Sequence, residues 1–276
     1  MFKKQFEMII ERMREIDPDL KEENIKPILW DIEKQYNFNL DPWLNYIRKQ
    51  FKDEPELIVE FNYLYDKYCS LETDYRTFRV DNIYKSIVAG EINNDGQIYK
   101  RTMIPYSGVE IEVSWVVNKA LDLIRKHNLK AELFQITRMN ISYSELDRAH
   151  LTKVKGNKTP GILLNYEPYA GEDYQYFLID GNHRMFSILQ RKNRQHNFES
   201  LQKAIAKQIK TEGSVFIFKS EEILSCMQHP IFQYFYLLQL LFIQMKEYEQ
   251  NQKELVDIIK DSNSRYNQVK SVVVEE

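Results

Sequence analysis

A run of aromatic and aliphatic residues broken by Gln175 alone, Tyr174 to Ile179, reads as a buried strand, and the run that begins at Met185 has the spacing of a helix. Asp180-Gly181-Asn182-His183-Arg184 joins them. A glycine turn from strand to helix leaves the first backbone N–H groups of the helix without partners, and an anion can take them up. His183 and Arg184 fall in that first turn. Cations there oppose the helix dipole, so the arrangement is mildly unfavourable without an anionic ligand and suited to phosphate or carboxylate with one.

The flanking sequence is helical. Pro27, Pro42 and Pro55 each precede an amphipathic run and suit a first helical position, and Asp41 before Pro42 reads as an N-cap. Trp43, Leu44, Ile47 and Phe51 recur at helical spacing, as do Leu57, Ile58, Phe61, Leu64 and Tyr65. A further helix is expected from Tyr75 to Ile92. The turn signal Asn93-Asn94-Asp95-Gly96 then opens a different pattern. It predicts a hairpin from Gln97 through Val113, a helix from Trp115 to His127 and a strand from Leu133 to Ile141. A short helix over Ser144 to Leu151 and a strand over Gly161 to Asn165 come next. After the motif helix, another helix is expected from Phe198 to Ile209, followed by a strand over Val215 to Phe218. From Glu221 the chain turns helical again. Pro230 starts a run expected to reach about Ile259, and the tail from Ser262 is expected to fray. The reading is α+β: a helical region over 1–92, a mixed sheet-and-helix domain over 93–220 and a C-terminal helical region over 221–276.

Bulk properties narrow the classes. The 276 residues are 43% hydrophobic and 13% aromatic, which argues for a folded chain with an ample core. A net charge of −3 carries no global signature of nucleic-acid binding. The two cysteines, Cys69 and Cys226, have no metal-ligand spacing and read as reduced thiols of a cytoplasmic protein. The N-terminal residues lack a signal-peptide core, and the apolar run from Ile231 to Met245 is too short and too rich in glutamine to span a membrane.

The stretch from about Leu133 to Phe218 resembles the superfamily that contains the chromosome-partition protein ParB and sulfiredoxin. The likeness rests on the segment from Tyr143 through Lys153-Val154-Lys155 into Thr159-Pro160, on the strands Gly161–Asn165 and Tyr174–Ile179, and on the Asp-Gly-Asn-His-Arg turn that opens a helix. Such a turn holds nucleotide phosphates in that superfamily. The resemblance implies that Gly181 permits close backbone approach, Asn182 contributes an amide or a cap, and His183 and Arg184 contact phosphate oxygens. Arg184 is the strongest candidate, because a planar guanidinium binds phosphate in a fork. Asp180 would orient His183, hold Mg²⁺ or accept a substrate proton. Lys153, with Lys155, Lys158 and Arg148, lies close to where the superfamily places its phosphate pocket.

The chain departs from the superfamily it resembles at informative positions. Sulfiredoxin chemistry uses a cysteine where Asn182 stands, which excludes sulfinic-acid reduction. No helix-turn-helix pattern follows the motif, as a partition protein would need to read DNA. The expected function is binding of a nucleoside triphosphate, ATP or CTP with Mg²⁺, followed by hydrolysis or transfer of a phosphoryl group, with Asp180, His183 and Arg184 as the reacting residues. Two alternatives use the same motif. One is a DNA-associated nuclease or DNA-modification-linked factor; the other is a non-catalytic nucleotide sensor that docks a partner protein. No membrane partner is expected.

Overall fold

A computed structural model describes residues 2–16, 18, 39–87, 96–106, 108–142, 146, 151, 153–154, 157–170, 172, 174–195, 210–251 and 254–274. The chain is a mixture of helix and sheet, the α+β class expected. It divides into two compact units, one formed by Met1–Ser114 with Met227–Glu276, the other by Trp115–Cys226. The expected helices over 144–151 and 198–209 fall largely or wholly outside the described residues, as do Pro27 and the turn at 93–95.

The first unit contains helices α1 (Phe2–Ile16), α2 (Asp41–Gln50), α3 (Pro55–Ser70) and α4 (Glu72–Ile87). They are followed by a two-stranded sheet, β1 (Ile98–Tyr106) and β2 (Val109–Val116), whose last two residues enter the second unit. Proline opens α3, where a missing N–H costs nothing. Asp41 is the first residue of α2 and not its cap; its carboxylate accepts the Tyr65 hydroxyl instead. In β2, buried Val109, Ile111 and Val113 alternate with more exposed Glu110 and Glu112, the period of a half-covered strand. Lys100 pairs with Glu112 across the two strands at 3.0 Å.

The C-terminal part of this unit is α8 (Pro230–Gln250), α9 (Asp257–Lys260) and α10 (Arg265–Val274). Helix α8 buries residues on nearly every side, from Ile231 and Phe232 through Phe242 and Met245, and packs on α3 and α10. Trp43 of α2 stands edge-on to Phe61, Phe235 and Phe242 at centroid distances of 5.4, 6.5 and 5.5 Å. Two expectations are corrected here. The long helix ends at Gln250, not near Ile259, and α9 is separate. The tail does not fray over 265–274, because Tyr266, Val269 and Val273 lie on one buried face of α10. Glu60 of α3 accepts both the Tyr266 hydroxyl and the Lys270 ammonium, which ties that helix down further.

The second unit begins with α5 (Val117–His127), which ends in Asn128 at φ 48°, a left-handed cap. Its four-stranded sheet uses β3 (Glu132–Ile136), β4 (Gly161–Asn165), β5 (Tyr176–Asp180) and β6 (Thr211–Phe218) in the order β3-β6-β4-β5. The last strand in the chain is therefore inserted between β3 and β4, antiparallel to the first and parallel to the second. Strand β4 pairs antiparallel with β5, with Ile162 opposite Asp180. Strand β3 is shorter than expected: after Ile136 the chain turns into a 3₁₀ segment, Arg138–Asn140.

Helix α6 (Asn182–Gln195) covers one face of the sheet, and α7 (Ser220–Ser225) follows β6. Met185 and Leu189 of α6 share a core with Ile136, Ile141, Leu163, Leu178 and Val215. The approach is close enough that a Cβ on Gly213 would meet the Met185 sulfur at 2.6 Å. Trp115, Tyr166 and Phe177 form a separate aromatic cluster, with Trp115 5.4 Å from Phe177. Strand β4 is buried over Gly161–Leu164, as befits a central strand covered on both faces.

Candidate functional site

Strand β5 ends at Asp180, Gly181 makes the turn and α6 starts at Asn182. Gly181 has φ 90°, a conformation that side-chain-bearing L residues rarely adopt. The Met185 amide donates to the Gly181 carbonyl at 3.0 Å, so the helix ladder begins directly on the turn. A Cβ on Gly181 would stand 3.0 Å from Gly161 Cα and 3.1 Å from Arg184 Nη2. A Cβ on Gly161 would meet the Asp180 carbonyl at 3.0 Å. The two glycines let the start of β4 and the end of β5 touch backbone to backbone beside the Arg184 side chain.

Arg184 is held by two acceptors. Nη2 donates to Asp180 Oδ2 at 2.7 Å and to the Pro160 carbonyl at 3.2 Å. The ion pair spans one helical turn, with side-chain exposure of 14% for Arg184 and 25% for Asp180. Nε is buried and has no hydrogen-bond partner among the described residues. A buried N–H left unmade costs about 1–3 kcal/mol, more on a charged group, so such an atom marks a place where an acceptor is favoured.

Asn182 does something the motif alone does not reveal. It is 5% exposed; its Oδ1 accepts the Ser142 amide at 2.9 Å and its Nδ2 donates to the Leu178 carbonyl at 3.2 Å. Nearby, Asn140 Nδ2 donates to the Tyr176 carbonyl at 2.7 Å, while its Oδ1 accepts from both the amide and the hydroxyl of Thr137. β5 is an edge strand, and Tyr176 and Leu178 are two residues apart on it. Two asparagine amides thus serve carbonyls of that strand and bind the segment 137–142 to it. With both polar ends committed, Asn182 locks the start of α6 to the rest of the unit.

His183 is half-buried in the first turn of α6, beside Arg184. The structure therefore brings Asp180, Gly181, Asn182, His183 and Arg184 together with Pro160 and Gly161. Lys153 is exposed in a stretch described only at 151, 153 and 154, and Arg148 and Lys155 lie outside the described residues. Among the described residues no three His, Cys, Asp or Glu side chains group closely enough to hold a metal ion. Asp180 is the one carboxylate of the turn, and one of its oxygens is already on Arg184. The Pro160 carbonyl and the Gly161 Cα were missed as site components, because nothing local in the sequence says which backbone Gly181 will touch.

No helix among the described residues is long and apolar enough to cross a membrane. Cys226 is buried, and burial pushes its thiol up to about 12, well away from thiolate chemistry at neutral pH. Compared with protein-family models, with curated proteins and with solved structures, the chain matches none of them.

Proposed function

We propose that the β5–α6 turn binds the phosphates of a nucleoside triphosphate, ATP or CTP with Mg²⁺, and that the bound nucleotide is hydrolysed or gives up a phosphoryl group, as in a member of the ParB/sulfiredoxin-like superfamily. One observation carries the reading: Arg184 is mostly buried, fixed through Nη2 by Asp180 and Pro160, and its Nε–H lacks an acceptor among the described residues at the start of a helix. A phosphate oxygen supplies that acceptor with a charge-assisted hydrogen bond and takes up the first amides of α6 as well. The paired glycines let β4 and β5 close on each other beside Arg184, which fixes the turn.

In this reading the residues divide the work. Arg184 binds and neutralises phosphate charge, and half-buried His183 adds a second nitrogen donor from the same turn. Gly181 admits the backbone approach. Asn182 positions the turn and does not touch ligand, because its amide is spent on Ser142 and Leu178. Asp180 holds Arg184 through Oδ2 and offers its other oxygen to the metal or to an attacking hydroxyl. One carboxylate suits Mg²⁺, which keeps several waters and takes its remaining oxygens from the phosphates. Held by Asp180, the metal would supply positive charge to offset that developing on the phosphates.

The test is a thermal-shift titration of the full chain with ATP and CTP, with and without Mg²⁺, repeated on Arg184→Lys and Arg184→Ala. A ligand present at a hundred times its dissociation constant stabilises the native state by about 2.7 kcal/mol, which a melting shift resolves. The expected result is stabilisation by one nucleotide, weakened at least tenfold in affinity by Arg184→Lys and abolished by Arg184→Ala. Affinity unchanged in Arg184→Ala, or no stabilisation by either nucleotide, overturns the proposal.

A further inference from the structure

His229 sits in the first unit, immediately before Pro230, and is 6% exposed. It is the N-cap of α8: its Nδ1 accepts the Ile231 amide at 3.3 Å. The opposite nitrogen, Nε2, lies 3.3 Å from Asp74 Oδ2 on α4. The ring is packed against Tyr75 and Phe78 of the same helix, with centroids 4.9 and 5.5 Å away. Both contacts can be made together by only one form of the ring, the neutral tautomer with its proton on Nε2. Among the described residues, the charged side chain against the ring is Asp74 and the other titratable one is Tyr75, both from α4.

We propose that His229 is a pH-sensitive latch inside the helical unit: while neutral it caps α8 and ties that helix to α4, and protonation at Nδ1 breaks the cap and loosens the α4–α8 contact. Adding the proton replaces an acceptor by a donor, so the Ile231 N–H loses its partner. It also places a cation at the N-terminus of a long helix, against the dipole, with aromatic rings on one side. Asp74 opposes this, but its side chain is 73% exposed and largely screened by solvent. Burial accordingly holds the imidazole below its ordinary value, with the Asp74 contact acting in the other direction.

The sign follows from linkage. A folded-state value below the unfolded one, about 6.5, means that the unfolded chain binds more protons in the interval between them. The stabilisation is complete above about pH 6.5 and falls as pH drops toward the folded-state midpoint, by up to about tenfold in the folding equilibrium per pH unit. The latch belongs to the helical unit and does not depend on the nucleotide reading.

NMR titration of the full chain between pH 7.5 and 4.5 tests it, with the His229 ring signal identified as the one missing from His229→Asn. The expected result is a midpoint below 6.5 whose titration moves the Ile231 amide in step, and which falls further in Asp74→Asn. His229→Asn keeps a side-chain acceptor at the cap at every pH, so its urea-unfolding equilibrium should lose the part of the acid sensitivity that the wild-type chain shows between pH 6.5 and 5. A midpoint at or above 6.5, an Ile231 amide indifferent to the ring, or equal acid sensitivity in His229→Asn and wild type each overturns the latch.

Discussion

Replacing Gly181 by alanine tests the architecture of the turn more directly than any charge substitution. Two costs add. At φ 90° an L side chain pays about 1–2 kcal/mol for a left-handed backbone. The new Cβ also arrives 3.0 Å from Gly161 Cα, and backbone in a central strand cannot swing aside as a flexible side chain would. Overpacking of that kind costs roughly 1–3 kcal/mol, which brings the total to roughly 2–5 kcal/mol. Gly108 isolates the two terms: its φ is 82°, but nothing lies within 4 Å of its Cβ position. Gly108→Ala should therefore cost only the conformational term, about 1–2 kcal/mol. Urea unfolding of both variants, with hydrogen exchange read separately at β4–β5 and β1–β2 amides, measures each cost in its own unit. The expected outcome is a Gly181→Ala penalty larger than that of Gly108→Ala and concentrated at the amides of β4 and β5. Equal penalties would show that the two glycines at 161 and 181 do not meet as described.

Asn182→Ala removes the partner of the Ser142 amide and a donor to the Leu178 carbonyl, which should cost about 1–3 kcal/mol for the buried groups left behind. The Ser142 amide should then exchange faster with solvent; an unchanged exchange rate would refute the locking role. Trp43 is fully buried among three phenylalanines, so Trp43→Ala should cost about 3–5 kcal/mol in urea unfolding. Trp43→Phe should cost much less, since it also removes an indole N–H that is buried without a partner among the described residues; equal costs for the two would argue against the packing described.

Several elements were legible because one local pattern decided them. Strand β4 is short and apolar up to Asn165, and α3 begins with proline followed by apolar residues at helical spacing. The tail was misread because its charged and polar residues hide a narrow face of Tyr266, Val269 and Val273, whose burial depends on α8 being there to cover it. The strand expected through Ile141 stops at Ile136, because Asn140 folds its side chain back on Thr137 and forms a turn. At the site, the residue types at 180–184 pointed to a strand-turn-helix, and glycine at 181 matches the positive φ found there. The role of Asn182 was not legible, since its partner Ser142 lies forty positions away in the chain.

Local patterns settle the kinds of element and the position of the turn, because hydrophobic period, proline at helix starts and glycine at a positive φ act over a few residues. Long-range packing places β6 in the sheet between β3 and β4, gathers helices from both ends of the chain into one unit, and holds Arg184 by Asp180 and Pro160 with Nε unpartnered among the described residues. Those outcomes depend on which distant surfaces bury one another and which backbone groups are left without partners, a balance summed over the whole chain that no local pattern records.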